Sequence, residues 1–421
     1  MALAAESRTP DAPNHPAALR MAIIAAISFN FTIGTIFGSF SVMLHSVEER
    51  LHLTVEQSSL GVQLVLVVGS LFAVVAGVLA ARFPLRVLMP LGAIVATCGW
   101  LLLAFTASYP LYLLAYGLFL GPAMALNGAL LPATLVTRWF SRHRGVALGF
   151  VHLAILIVIL PPFCTWTLEH FGAQATYLML AGLTVLVLLP ATLLVRDYPP
   201  GQEPAAQPGG ALKPGVSEDD RALSVVQLLA RPRFWAFSLS VAAINTSSLI
   251  LTAHLAPMGH FWGFDPYRSA LLLSVMSFAG MAGSVAFGWV CDRLGGALTL
   301  AVLSLDAGIL WLFLLLGLPY PMVVLIIGLI GFHGAGAVPG MARALAAAFG
   351  QASFSRAYGL YQALSLPITI IGVSGTAIDY QRNGNYTLAI LGMVAYFLIG
   401  LLLALAASRR GSAPVVATSS A

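Results

Sequence analysis

The sequence predicts an all-α integral membrane protein with twelve transmembrane helices in two six-helix halves, and three observations predict it. Of 421 residues, 59% are hydrophobic and 8% charged, with a mean hydropathy of +0.92; a water-soluble surface needs about three times that charge fraction. The apolar residues fall in continuous runs of about 20, enough for a helix to cross a bilayer, and not in the alternating segments of a barrel. One segment rich in Pro, Gly and charge, 196–233, divides these runs six and six.

Residues 1–20 are polar and Pro-rich and read as a cytoplasmic N-terminal tail, without the charged start, short apolar core and cleavage site of a signal peptide. Spans are expected near 21–45, 57–81, 86–108, 110–136, 145–168 and 173–195, which form the N-terminal half, 21–195. The linker 196–233 holds Pro199, Pro200, Pro204 and Pro208, the single lysine Lys213 and the acidic run Glu218, Asp219, Asp220. It buries too little apolar surface to offset its ordering entropy, except for one surface helix near 222–230. The C-terminal half, 234–408, carries spans near 234–257, 268–290, 297–317, 321–343, 356–378 and 387–408, and 409–421 is a second cytoplasmic tail.

Orientation follows from charge, because cytoplasmic loops retain Arg and Lys. With both termini cytoplasmic, 17 of the 20 basic residues fall on that side, and Arg50, Arg268 and Arg382 alone fall outside. The plasma or inner membrane is the expected location. The net charge of +5 is explained by this placement, so no nucleic-acid partner is implied. Cys98, Cys164 and Cys291 share no metal-ligand spacing and read as packing residues. There is no nucleotide loop, metal cluster or soluble domain, so neither an enzyme nor a cofactor is expected.

Within the spans, Gly34 and Gly38, Gly121, Gly280 and Gly283, and the run from Gly328 to Gly340 permit close helix approach. Pro161 and Pro162, Pro339 and Pro367 are expected to kink their helices. Ionisable groups at membrane depth are functional suspects by default, and four lie inside spans: His152, His254, Asp306 and His333. Asn245, Ser248 and Thr252, at i, i+3 and i+7, share one face of the seventh span. Asn30, Asn127, Tyr361 and Gln362 are the other neutral polar groups that a solute would meet. The plain alternative for all of these is hydrogen bonding between helices.

Two stretches repeat. Gly288-Trp-Val-Cys-Asp-Arg-Leu-Gly295, between the second and third spans of the C-terminal half, has a decayed copy in Gly77-Val-Leu-Ala-Ala-Arg-Phe-Pro-Leu-Arg86, where Ala81 replaces the acid and Pro84 the glycine. With the six-linker-six plan, they resemble the major facilitator superfamily and its loop signature. The stretch Arg138-Trp-Phe-Ser-Arg-His-Arg-Gly-Val-Ala-Leu-Gly149, its counterpart Phe354-x-Arg-Ala-Tyr-Gly359, and Thr252-Ala-His-Leu-Ala-Pro257 are similar to the monocarboxylate porter and oxalate:formate antiporter group.

The resemblance implies two halves rocking around a midplane site, with the first, fourth, seventh and tenth spans lining it. His333 is then the leading candidate to touch substrate or carry a proton, while His254 either gates the outer mouth or sits in water at the interface. His152 is equally explained by packing on the fourth span. Asp306, the one acid within a span, is a candidate for proton coupling; it lies on a peripheral span, where a structural bond to a neighbouring hydroxyl is the favoured alternative. Gly77, Arg82, Arg86, Gly288, Asp292, Arg293 and Gly295 would form conformational-switch loops, the alternative being that their arginines only anchor loops in water. The group typically places an arginine in the eighth span to hold a carboxylate; Gly280 and Ser284 stand there instead.

The expected function is secondary transport of a small organic solute, a carboxylate or related metabolite, coupled to protons. A neutral or amphipathic cargo and a non-transporting solute sensor are the alternatives. The expected partners are that solute, protons and the bilayer, with the chain acting as a monomer.

Overall fold

The computed structural model describes residues 15–200 and 222–409. The first part of the N-terminal tail, most of the linker and the C-terminal tail lie outside the described residues. Helices run over Ala18–Leu51, Val55–Arg82, Leu85–Phe105, Tyr109–Trp139 and Arg144–Leu193. They continue over Pro232–Phe261, Pro266–Leu294, Gly296–Phe313, Tyr320–Asn383 and Thr387–Arg409. Arg144–Leu193 and Tyr320–Asn383 have 50 and 64 residues. At about 1.5 Å per residue each exceeds twice the roughly 30 Å of a bilayer core. Each turns at a glycine far outside helical geometry, Gly172 (φ +80°, ψ 176°) and Gly350 (φ +73°, ψ 166°). Each is therefore two spans, and the ten long helices among the described residues make the twelve expected. The short helix Val225–Leu229 in the linker also forms, with Leu228 buried.

The interruptions within spans follow proline only in part. Pro132 cannot donate to the Gly128 carbonyl four residues back, and the fourth span breaks there, with Gly128 at ψ −108°. Pro339 stands in the same relation to Ala335, and the tenth span breaks at Ala335–Gly336. Pro161, Pro162 and Pro367, by contrast, sit inside continuous helix. The interruption of the fifth span lies earlier, at residues 152–155.

The described residues form two compact units. One runs to Val226 and takes in Phe349–Leu366; the other runs from Gln227 to Ala348 and resumes at Pro367. In the first, the second span packs on the fourth, and the first on the fourth and fifth. Their core is an aromatic cluster of Trp100, Tyr112, Tyr116 and Tyr177 among Ile36, Met43, Leu103 and Leu180. In the second, the ninth span packs on the twelfth, the eighth on the tenth, and the seventh on the eighth and twelfth. A Cβ on Gly283 would overlap the Phe332 carbonyl, and one on Gly331 the Met276 carbonyl, so the eighth and tenth spans touch backbone to backbone. Trp311 Nε1 donates to Ser247 Oγ at 2.8 Å, and Ser240 Oγ to the Gly400 carbonyl at 2.7 Å. Such bonds between membrane helices are worth about 0.6–2 kcal/mol each.

Candidate functional site

In the first unit the polar groups collect at the breaks. The broken fifth span restarts at Leu156, whose N–H has lost its partner in the preceding turn; Asn30 Oδ1 accepts it at 3.1 Å from the first span. Asn30 Nδ2 donates to the Ala26 carbonyl at 3.0 Å. His152 caps the preceding helical segment, its Nδ1 at 2.8 Å from the Leu148 carbonyl and its ring at 4.7 Å from that of Phe29. Packing on the first span, as well as on the fourth, thus accounts for its position.

Asn127, just before the break in the fourth span, is fully buried. Its Nδ2 donates to the Met89 carbonyl at 2.9 Å, and its Oδ1 and carbonyl accept from Ser28 Oγ at 3.2 and 3.1 Å. The expected solute contact is corrected here. A side chain enclosed and bonded in this way fastens the first, third and fourth spans and has no face left for a ligand.

Tyr361 is buried, its ring 6.0 Å from that of Tyr358. The Gln362 carboxamide oxygen is buried without a hydrogen-bond partner among the described residues, which leaves an acceptor to fill.

In the second unit Asn245 and Ser248 are half-buried and Thr252 is exposed, so one face of the seventh span is polar and partly open, as its spacing predicts. Ser248 Oγ bonds back to the Ile244 carbonyl at 3.2 Å, and Thr252 Oγ1 to that of Ser248 at 2.8 Å. His254 Nε2 lies 3.3 Å from the Val373 carbonyl, beside the ring of Tyr386. The ninth and tenth spans bring Asp306 Oδ2 and His333 Nδ1 to 3.7 Å. The hydroxyl expected for Asp306 is corrected to an imidazole.

The basic ends of the spans hold a second constellation. In the C-terminal copy of the repeat, Asp292 accepts from Arg343 Nη1 at 3.0 Å. Arg293 lies over the Trp289 ring at 4.1 Å, Gly288 is buried, and Gly295 closes the eighth span at φ +80°. The N-terminal copy lacks an acid at Ala81, and the structure supplies one from elsewhere. Asp197, just beyond the sixth span, accepts from the Leu85 N–H and from Arg138 Nη1 at 3.2 Å. Arg138 Nη2 donates to the Ala80 carbonyl at 2.9 Å, and its guanidinium lies 4.7 Å over the Tyr198 ring. Burial pushes the Tyr198 phenol above its ordinary value, so it stays neutral beside Asp197.

Sequence reading did not find Asp197, which pairs with a backbone N–H 112 positions away. The available signal was scarcity: between Glu56 and Glu203 the only acids are Glu169 and Asp197. Arg82 and Arg86 are exposed. Gly77 meets the start of the eleventh span, where Ser355 Oγ donates to its carbonyl at 3.1 Å. A Cβ on Gly77 would overlap the Ser355 carbonyl, and one on Gly359 the Ala73 carbonyl.

A profile of the major facilitator superfamily matches residues 23–373. The chain belongs to the major facilitator superfamily. Monocarboxylate transporter 13 of Bos taurus is 28% identical over 334 residues, 77% of this chain and 74% of the bovine one. Monocarboxylate transporter 11 of Mus musculus is 27% identical over 276 residues, 64% of this chain and 59% of the mouse protein. Among solved structures, the E. coli fucose:proton symporter FucP superposes with a TM-score of 0.68 at 13% identity, covering 92% of this chain and 98% of its own, which shows the shared fold. As a facilitator-family transporter, the chain is a multi-pass membrane protein.

Proposed function

We propose that this transporter moves a small organic solute, a carboxylate or related metabolite, across the plasma or inner membrane by alternating access, with the proton as coupling ion and His333 as its carrier. It acts as a monomer with both termini in the cytoplasm. The observation that supports this most is the interruption of the fourth, fifth and tenth spans in mid-length, beside Asn30, His152 and His333. Backbone without helical bonds is tolerated at membrane depth where protein or a water-filled cavity supplies partners, and such breaks are where carriers build binding sites. Asn30, Asn245, Ser248, Thr252, Tyr361, Gln362 and His333 are the proposed solute contacts. The carboxylate assignment draws on the monocarboxylate transporters to which the sequence is similar.

A second reading is favoured by one observation. Gly280 holds the place where the porter group has its arginine, and a Cβ there would stand 3.3 Å from the Gly331 carbonyl. With no guanidinium to grip a carboxylate at that place, a neutral or amphipathic cargo fits the same scaffold. In proteoliposomes, L-lactate and other monocarboxylates should enter faster when the outside is acid and should compete with one another. Inhibition by uncharged analogues alone favours the second reading, and binding without flux identifies a sensor.

A further inference from the structure

The ninth and tenth spans each carry an ionisable residue near mid-length, and the fold sets these two side by side. We propose that Asp306 and His333 form one proton-binding unit, and that the transported proton is held by the pair and not by the imidazole alone. The coupling part of this inference rests on the proposed proton-driven transport; the proton-binding unit itself does not.

Three features carry it. The first is the gap. His333 Nδ1 is buried with no hydrogen-bond partner, 3.7 Å from Asp306 Oδ2. That is too long for a hydrogen bond and short enough for an ion pair. A proton on either group lets the pair close into a charge-assisted bond that both atoms now lack.

The second is the helix end. Because Pro339 stops the tenth span early, His333 falls in the last turn of Tyr320–Gly334, and its carbonyl accepts from the Gly336 N–H at 2.9 Å. The partial negative charge of that terminus lies beside the imidazole and offsets part of the cost of a positive charge there.

The third is the position of the acid. Asp306 borders the exposed apolar stripe Val302, Leu305 and Ile309, where an ionised carboxylate without a partner is costly. Its side chain is 41% exposed against 17% for His333, so of the two groups the acid stands nearer that apolar face.

The surroundings do not compete for the proton. The eighth span presents the edge of Phe287, 5.2 Å from the imidazole, and the seventh presents Ser248 against Gly334. The twelfth packs on the ninth through Phe397 at Gly308. Among the described residues, Asp306 is the only group in ion-pair contact with His333. A proton arrives from water on one side, makes a single O–H or N–H bond in the pair, and leaves to water on the other side with that bond broken.

Infrared difference spectroscopy of the purified, full-length protein tests proton binding without any solute. Acidification should produce a protonated-carboxyl band that Asp306→Asn removes. His333→Gln should move its midpoint to higher pH, because the carboxylate loses its cation. A midpoint indifferent to His333→Gln, or a band that survives Asp306→Asn unchanged, overturns the unit.

Reconstitution with L-lactate as probe tests coupling. Asp306→Asn should lower acid-driven accumulation by about tenfold or more, within the usual range of coupling between sites, while exchange of labelled for unlabelled lactate at equal pH continues. That exchange also reports a folded variant. Wild-type-like accumulation by Asp306→Asn overturns the pair's role in coupling. Indifference of the wild type to the gradient defeats the proposed proton-driven transport instead, and leaves the infrared result to decide the unit.

Discussion

Asn127→Leu keeps the volume of the side chain but leaves the Met89 carbonyl and the Ser28 hydroxyl without their partner. Unfolding in detergent should become easier by about 1–2 kcal/mol, with the solute concentration for half-maximal transport unchanged. A shift in that concentration at unaltered stability would restore Asn127 to the solute contacts. The same scale holds the pairing of Arg138 with Asp197. Arg138 is 9% exposed, so Asp197→Ala leaves a nearly buried guanidinium without its counter-ion and should cost about 3–5 kcal/mol. Adding Ala81→Asp, which restores the acid found in the C-terminal copy, should recover much of the thermal stability; no recovery would mean that the two acids do not serve one guanidinium. Residue types pointed to His333 and Asp306 as rare and therefore interesting, but their meeting was not legible. Their closeness depends on the packing of two helices, and no spacing along the chain encodes it.

At the scale of elements, most of the architecture was legible, because a membrane span is fixed by length and apolarity and both are local. The breaks were less so. Pro339 marked one, Pro132 marked another that went unread, and Pro161, Pro162 and Pro367 lie in helices that absorb them. The four-residue break at 152–155 has no proline signal; what completes it is the Asn30 amide, 126 residues from Leu156. Pro339→Ala would return a donor to the Ala335 carbonyl. Thermal stability should therefore rise by about 1–3 kcal/mol, while turnover falls if the break serves transport. Equal turnover in the straightened helix would make the break incidental.

For the whole molecule, the contact of the second span with the start of the eleventh is the clearest mechanical joint. Gly77 and Gly359 let two backbones touch, and Ser355 ties them. Gly359→Val cannot make this approach without displacing the Ala73 carbonyl. A carrier that must form and break the contact once per cycle should lose turnover while keeping its solute affinity, and single cysteines near residue 77 should become more reactive to membrane-impermeant reagents. Unchanged turnover would show that the contact is dispensable. The orientation rests on 17 basic residues against three, and impermeant labelling of cysteines placed at Arg268 and Arg382 in intact cells checks it: both should react from outside.

Gly350 joins two spans through one residue. No heavy atom lies within 4 Å of where its β-carbon would be, so replacing it by alanine should strain only the backbone, by about 1 kcal/mol. A joint this short has no slack to unreel. With helix on either side of it, the two soft torsions of Gly350 alone set the bend at which the chain leaves one span and enters the next.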